Sequence, residues 1–152
     1  MQSTEDKIEK TIDLAAPLPR VWRALTDHRE FGEWFQVKLS GPFRPGAVVT
    51  GQMTFPGYED YPWRARVERM EPETLFSFKW HDFDEKSDKD VSEQPTTLVE
   101  FRLEAIDGGS TRLHITESGF AALPDPRRLE VLRENTKGWE IQADNIKSHV
   151  TT

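Results

Sequence analysis

Residues 126–150 read PRRLEVLRENTKGWEIQADNIKSHV, and this stretch decides the fold. Leu129, Leu132, Thr136, Trp139, Ala143, Ile146 and Val150 recur in it at three- and four-residue steps. That period predicts one long amphipathic helix. Pro124 and Asp125 offer a capped start, with Pro126 at the first helical position. A helix of about 25 residues is roughly 37 Å long, and a ten-residue strand spans roughly 33 Å. One such helix can therefore lie along a whole curved sheet and cover its apolar face. Gly138 should cost it about 1 kcal/mol relative to Ala; close approach to the sheet or to a loop would explain its presence, and so would chance.

Upstream, the pattern alternates instead. Residues 97–106 place Thr97, Val99, Phe101, Leu103 and Ala105 on one side and Glu100, Arg102 and Glu104 on the other. Asp107-Gly108-Gly109 is a hairpin signal, and residues 110–118 return with Leu113, Ile115 and Glu117 in phase. Two earlier strands, 63–70 (Trp63, Ala65, Val67) and 75–80 (Phe76, Phe78, Trp80), are joined by the turn Glu71-Pro72-Glu73-Thr74. A further strand over 47–55 puts Val49, Met53 and Phe55 on one face, followed by a loop at 56–62. Consecutive strands with short turns predict an antiparallel sheet. The chain opens with a strand at 7–14, where Ile8, Ile12 and Leu14 share a face. Two short helices follow it: Leu18, Val21, Trp22 and Leu25 line one, and Phe31, Trp34 and Phe35 lie in the other, residues 29–35.

Composition narrows the function classes. The 152 residues fit one domain, with 9 Phe, 5 Trp and 2 Tyr available for a core. A formal net charge of −7 removes the electrostatic attraction to phosphate that nucleic acids and anionic membranes supply, so neither is expected as a partner. With no cysteine there are no disulfides, thiolate nucleophiles or Cys-ligated metals. No apolar run approaches the roughly 20 residues that span a bilayer, and the polar start is unlike a signal peptide. The expectation is a soluble, cytoplasmic, single-domain protein over residues 1–152.

Motifs for chemistry are sparse. Asp82, Asp84, Asp88, Asp90 and Glu93 fall at calcium-loop spacings, but Lys86 and Ser87 occupy a ligand place and the required glycine place. The four histidines (His28, His81, His114 and His149) include no pair at i, i+4. Ser77 and Ser118 have no evident base, and there is no nucleophile elbow or glycine-rich phosphate loop. No metal, cofactor or catalytic residue is assigned.

The residues support a family likeness. The order of strand, two short helices, six strands and long helix resembles the helix-grip fold of the START-like (SRPBCC) superfamily, an α+β architecture. More narrowly, residues 17–27 (PLPRVWRALTD) followed by Phe31-Gly32-Glu33-Trp34 resemble the opening of the activator of heat shock protein 90 ATPase-like family. Residues 71–75 (EPETL), 115–120 (ITESGF) and Gly138-Trp139-Glu140 agree with it in order. The resemblance implies a cavity between helix and sheet for a lipid-, polyketide- or flavonoid-like molecule. It also implies two alternatives: cyclase, dehydratase or isomerase chemistry, or a chaperone partner in a stress response. The chaperone activator itself carries an additional N-terminal domain that this chain has no room for.

Candidate ligand-binding residues are the inward large side chains Trp34, Met53, Phe55, Trp63, Phe78, Trp80, Phe101 and Trp139, with Ala143 beside them on the helix. Glu117 is the unusual member, since the phase of Leu113 and Ile115 turns a carboxylate inward. A carboxylate there suits orienting a ligand hydroxyl, or general-base work if burial raised its pKa. Thr136 and Gln142 are the other polar groups placed near the cavity.

Overall fold

The computed structural model describes residues 7–59, 61–81, 96–123 and 127–151. The acidic calcium-like spacing at 82–93 and the helix cap at Pro124 to Pro126 lie outside the described residues. The described elements run β1 (Lys7–Leu14), α1 (Leu18–Thr26), α2 (His28–Phe35), β2 (Val37–Leu39), β3 (Val48–Met53), β4 (Pro62–Glu71), β5 (Leu75–His81), β6 (Thr96–Ile106), β7 (Ser110–Ser118) and α3 (Arg127–Thr151). The strands form one antiparallel sheet ordered β1-β7-β6-β5-β4-β3-β2. The long helix α3 packs against it, and α1 and α2 pack on each other and on α3. This is the helix-grip architecture expected.

Local chemistry explains the joints. Asp27 Oδ1 accepts from Arg29 N at 2.9 Å and Glu30 N at 3.2 Å, capping α2 at the point where α1 ends. Gly32 is required for space, because a Cβ there would stand 2.4 Å from the Val37 carbonyl oxygen. The Asp107-Gly108-Gly109 turn closes the β6–β7 hairpin with both glycines at positive φ, 77° and 76°.

Three features differ from the sequence reading. β3 ends at Met53, and Phe55 stands in the loop beyond it, where Met53 N donates to Tyr61 O at 3.1 Å and Tyr58 N to Phe55 O at 2.9 Å. β2 is only three residues long, too short to show an alternation. In the first half of α3 the buried stripe runs through Val131 and half-buried Asn135, while Leu129 and Thr136 are exposed. Counting back from Trp139 by fours gives 135 and 131. The polar Asn135 hid that step from a search for apolar residues.

Candidate functional site

The inner face of the sheet carries an aromatic core. Phe31 is fully buried, its ring centroid 4.9 Å from those of Trp34 and Phe35, 5.2 Å from Phe43 and 5.8 Å from Trp63. Phe76, Phe78 and Phe101 continue this packing along β5 and β6 and are likewise fully buried.

Toward one end the packing opens into a cavity of about 490 Å³. Its walls come from the end of β3 and the loop after it (Met53, Phe55, Tyr58, Tyr61), from β4 and β5 (Trp63, Trp80), from α2 (Phe35), and from α3 (Glu134, Asn135, Lys137, Gly138, Trp139, Ile141, Gln142). Seven of these fourteen residues are aromatic, so a ligand would meet ring faces and edges more than aliphatic branches. The loop is held in shape by Gln52, whose Nε2 donates to Tyr61 O at 3.1 Å and also to Glu59 O. Tyr58 packs edge-on against Phe55 and tilted against Tyr61, with centroids 5.6 and 5.5 Å away, and is half-exposed.

Behind the cavity lies Glu117, with no solvent exposure. Strand phase turned it inward as the sequence indicated, and β7 places it opposite Val99 of β6 and Ile8 of β1. Its Oε2 accepts from Trp80 Nε1 at 2.8 Å and Thr97 Oγ1 at 2.5 Å; its Oε1 accepts from Trp139 Nε1 at 2.9 Å. Asn135 Nδ2 reaches both oxygens, at 3.2 and 3.1 Å. Five accepted bonds from neutral donors satisfy a carboxylate that burial would otherwise penalise. The result fixes two indoles as a wall: Trp80 and Trp139 stack 5.7 Å apart at 28°.

The candidate residues thus separate. Met53, Phe55, Trp63, Trp80 and Trp139 line the cavity. Phe78, Phe101 and Ala143 are buried core outside its lining, and Glu117 holds the lining from behind. Trp34 is pinned between the short helices by its Nε1 bond to Ala24 O at 2.8 Å. It lines a second space of about 270 Å³ with mostly polar neighbours, below the size usual for drug-sized ligands. Gln142 reaches the cavity while its Nε2 donates to Phe35 O at 3.0 Å, whereas Thr136 is exposed and bonds Leu132 O at 2.7 Å. Sequence reasoning missed Phe35, Tyr58, Tyr61 and Asn135. The two tyrosines were visible as aromatics in a loop, a place where binding residues concentrate.

Gly138 decides between the two explanations left open for it. A Cβ there would meet no atom within 4 Å, so no close approach explains it. It lines the cavity, and the missing side chain leaves room there.

Among the described residues no group of His, Asp and Glu is arranged to hold a metal ion, and no helix is long and apolar enough to cross a membrane.

Residues 15–151 match the family described as activator of Hsp90 ATPase homolog 1-like protein. The chain belongs to that family. Solved structures share the fold of this Hsp90 ATPase activator-like chain at low identity. DynU16 of the dynemicin biosynthetic locus is 22% identical with a TM-score of 0.74, over 97% of this chain and 48% of that one. This chain therefore spans about half the length of DynU16. Protein MLL2253 from Mesorhizobium loti is 19% identical with a TM-score of 0.75, over 95% of this chain and 96% of that one. The Aha1 dimer from Colwellia psychrerythraea is 18% identical with a TM-score of 0.70, each chain covered to 95%. No curated protein matches the sequence of this Hsp90 ATPase activator-like chain.

Proposed function

We propose that the protein binds a small planar aromatic molecule in the cavity between α3 and the sheet. The carrying observation is the wall of two stacked indoles fixed from behind by a buried, fully hydrogen-bonded carboxylate. Such a wall is preorganised, so a ligand stacking on it does not have to immobilise it, and less affinity is lost to ordering. A volume of about 490 Å³ falls within the range of small-molecule sites. Aromatic walls favour flat rings over flexible alkyl chains, which places aromatic and flavonoid- or polyketide-like compounds ahead of lipids.

Catalysis by Glu117 is the weaker reading. All its hydrogen bonds run to the protein, and Trp80 and Trp139 stand between it and the cavity. A base must come within hydrogen-bond reach of the proton it removes.

The test is an NMR screen of the protein against flat aromatics, flavonoids, polyketide-like compounds and fatty acids. The expected result is aromatic hits that shift the indole N–H signals of Trp80 and Trp139, with Gly138→Leu losing them while keeping the fold. Hits confined to fatty acids, or aromatic hits that Gly138→Leu leaves intact, would overturn the proposal. So would a folded protein with no hits at all.

A further inference from the structure

Charge is spread unevenly over the outer face of the sheet, the side turned away from α3 and the cavity. On β6, β7 and β1 the outward charges are paired. Arg102 meets Glu100 at 3.3 Å, Arg112 meets Asp13 at 2.8 Å, His114 bonds Glu104 at 2.9 Å and Lys7 meets Glu9 at 3.7 Å. The other half, β2 to β5, is built differently. Trp63, Ala65 and Val67 enter the core, so the alternation sends Arg64 and Arg66 outward on β4. Phe78 and Trp80 do the same for Lys79 on β5, and Val37 does it for Lys38 on β2. Arg66 and Lys79 are direct register partners, and Arg64 lies two residues further along β4, opposite Thr50. Lys38, Arg64 and Lys79 have no ion-pair partner among the described residues; Arg66 has Glu68 at 3.3 Å.

This gathering runs against both the fold and the composition. Like charges directly opposite on neighbouring strands are destabilising, and a neutral polar residue at 64 or 79 would serve an outer face without that cost. The chain as a whole carries a net charge of −7, which makes a patch of cations the exception on its surface. Strands lie about 4.8 Å apart and successive outward residues about 6.7 Å apart. Lys79, Arg66, Arg64 and Lys38 therefore trace a diagonal of roughly 20–25 Å, the length of about seven extended residues. Beside it Val48, opposite Arg66, is 47% exposed.

We propose that the outer face of β2 to β5 docks an extended acidic segment of a partner protein. Its carboxylates meet the forked guanidinium groups of Arg64 and Arg66 and the ammonium groups of Lys79 and Lys38, and an apolar residue of the segment covers Val48. The cations are spread over three strands instead of converging on one point, which suits a chain of carboxylates better than a single small anion. A nucleic-acid duplex brings one charge per about 1.7 Å and extends beyond the patch, over a surface of the opposite preference. A bilayer finds only Val48 to insert here.

The experiment titrates the protein with a labelled seven-residue peptide of glutamates around one isoleucine, and with its glutamine counterpart. At low salt the glutamate peptide should bind at least about tenfold more tightly, and the gap should close near 0.5 M salt, where exposed charges are screened. NMR shifts should fall on β3, β4 and β5 and spare β6 and β7. Joint Arg64→Gln and Lys79→Gln substitution should weaken the glutamate peptide about tenfold and leave the glutamine peptide unchanged. Arg112→Gln, on the paired half, should change neither, and thermal melts confirm that each variant folds. Equal affinity for the two peptides, no binding of either, or an equal loss from Arg112→Gln would overturn the proposal. Tighter binding of anionic vesicles or of a DNA duplex to the same cations would overturn it in favour of that partner. Binding that appears only after Asp82, Asp84, Asp88 and Asp90 are changed to Asn would also overturn it, because the chain's own acidic residues would then be the occupant. None of these results bears on the aromatic cavity, which lies on the other side of the sheet.

Discussion

Glu117 shows how a single buried charge organises its surroundings. Each oxygen takes an indole N–H, Thr97 and Asn135 complete the set, and no water is needed. Replacing it by Gln keeps the shape but turns one acceptor oxygen into a donor amide facing other donors. Glu117→Gln is therefore expected to lower the unfolding free energy by about 1–3 kcal/mol for each donor left unpaired. Urea denaturation measures this, and the Trp80 and Trp139 indole N–H signals should move together. A loss below about 0.5 kcal/mol would mean that the network relaxes at little cost. The inward phase of Glu117 was legible from Leu113 and Ile115 alone. Its role was not, because its four donors come from β5, β6 and α3, and only packing brings Trp80, Thr97, Asn135 and Trp139 to one point.

At the scale of the elements, α3 carries both the lid of the core and one wall of the site. Gly138 stands where these meet. Gly138→Ala meets no atom within 4 Å, so the helix should gain up to about 1 kcal/mol, read as a higher thermal midpoint. The larger Gly138→Leu should remain folded and reduce ligand affinity by occupying the cavity. Gly32→Ala is expected to do the opposite, since its methyl would press on the Val37 carbonyl at 2.4 Å and part α2 from β2. Chemical denaturation of the three variants separates these cases. The helix itself was plain in the sequence, because Trp139, Ala143, Ile146 and Val150 repeat without interruption. Its first half misled, because apolar Leu129 points to solvent and polar Asn135 to the site. Periodicity weighs side chains by hydrophobicity and cannot see a polar group that is buried for a purpose.

Across the whole molecule, Glu30 ties together three helices. It accepts from Arg20 Nη1 at 2.6 Å and Arg23 Nε at 2.7 Å, both on α1, and bonds His149 Nε2 of α3 at 2.9 Å. Burial alone would raise the Glu30 carboxyl, but the bonds from His149, Arg20 and Arg23 outweigh it and hold it below its ordinary value of 4.5. The sign follows: the folded state keeps this proton off more readily than the unfolded chain, so the contribution to stability is complete above that value. It is lost as pH falls through the lowered folded value. Glu30→Gln should flatten the acid side of a stability-against-pH curve and converge with the parent at the lowest pH, measured by thermal melts. An unchanged acid limb would show that the helices are joined elsewhere. None of this contact was readable from sequence, since Arg20 and His149 are 129 residues apart. The antiparallel pairing of consecutive strands and the helix grip were, because short turns join neighbouring strands and only one long helix is available to cover the face; the pairing of β1 with β7 was not.

The stacked pair of Trp80 and Trp139 has one more consequence. With rings 5.7 Å apart and inclined by 28°, their electronic transitions are close enough to couple, so the pair should show a split circular-dichroism band that neither indole gives alone. One ring belongs to β5 and the other to α3, which makes that band an optical ruler for the gap between sheet and helix, built into the protein and needing no label.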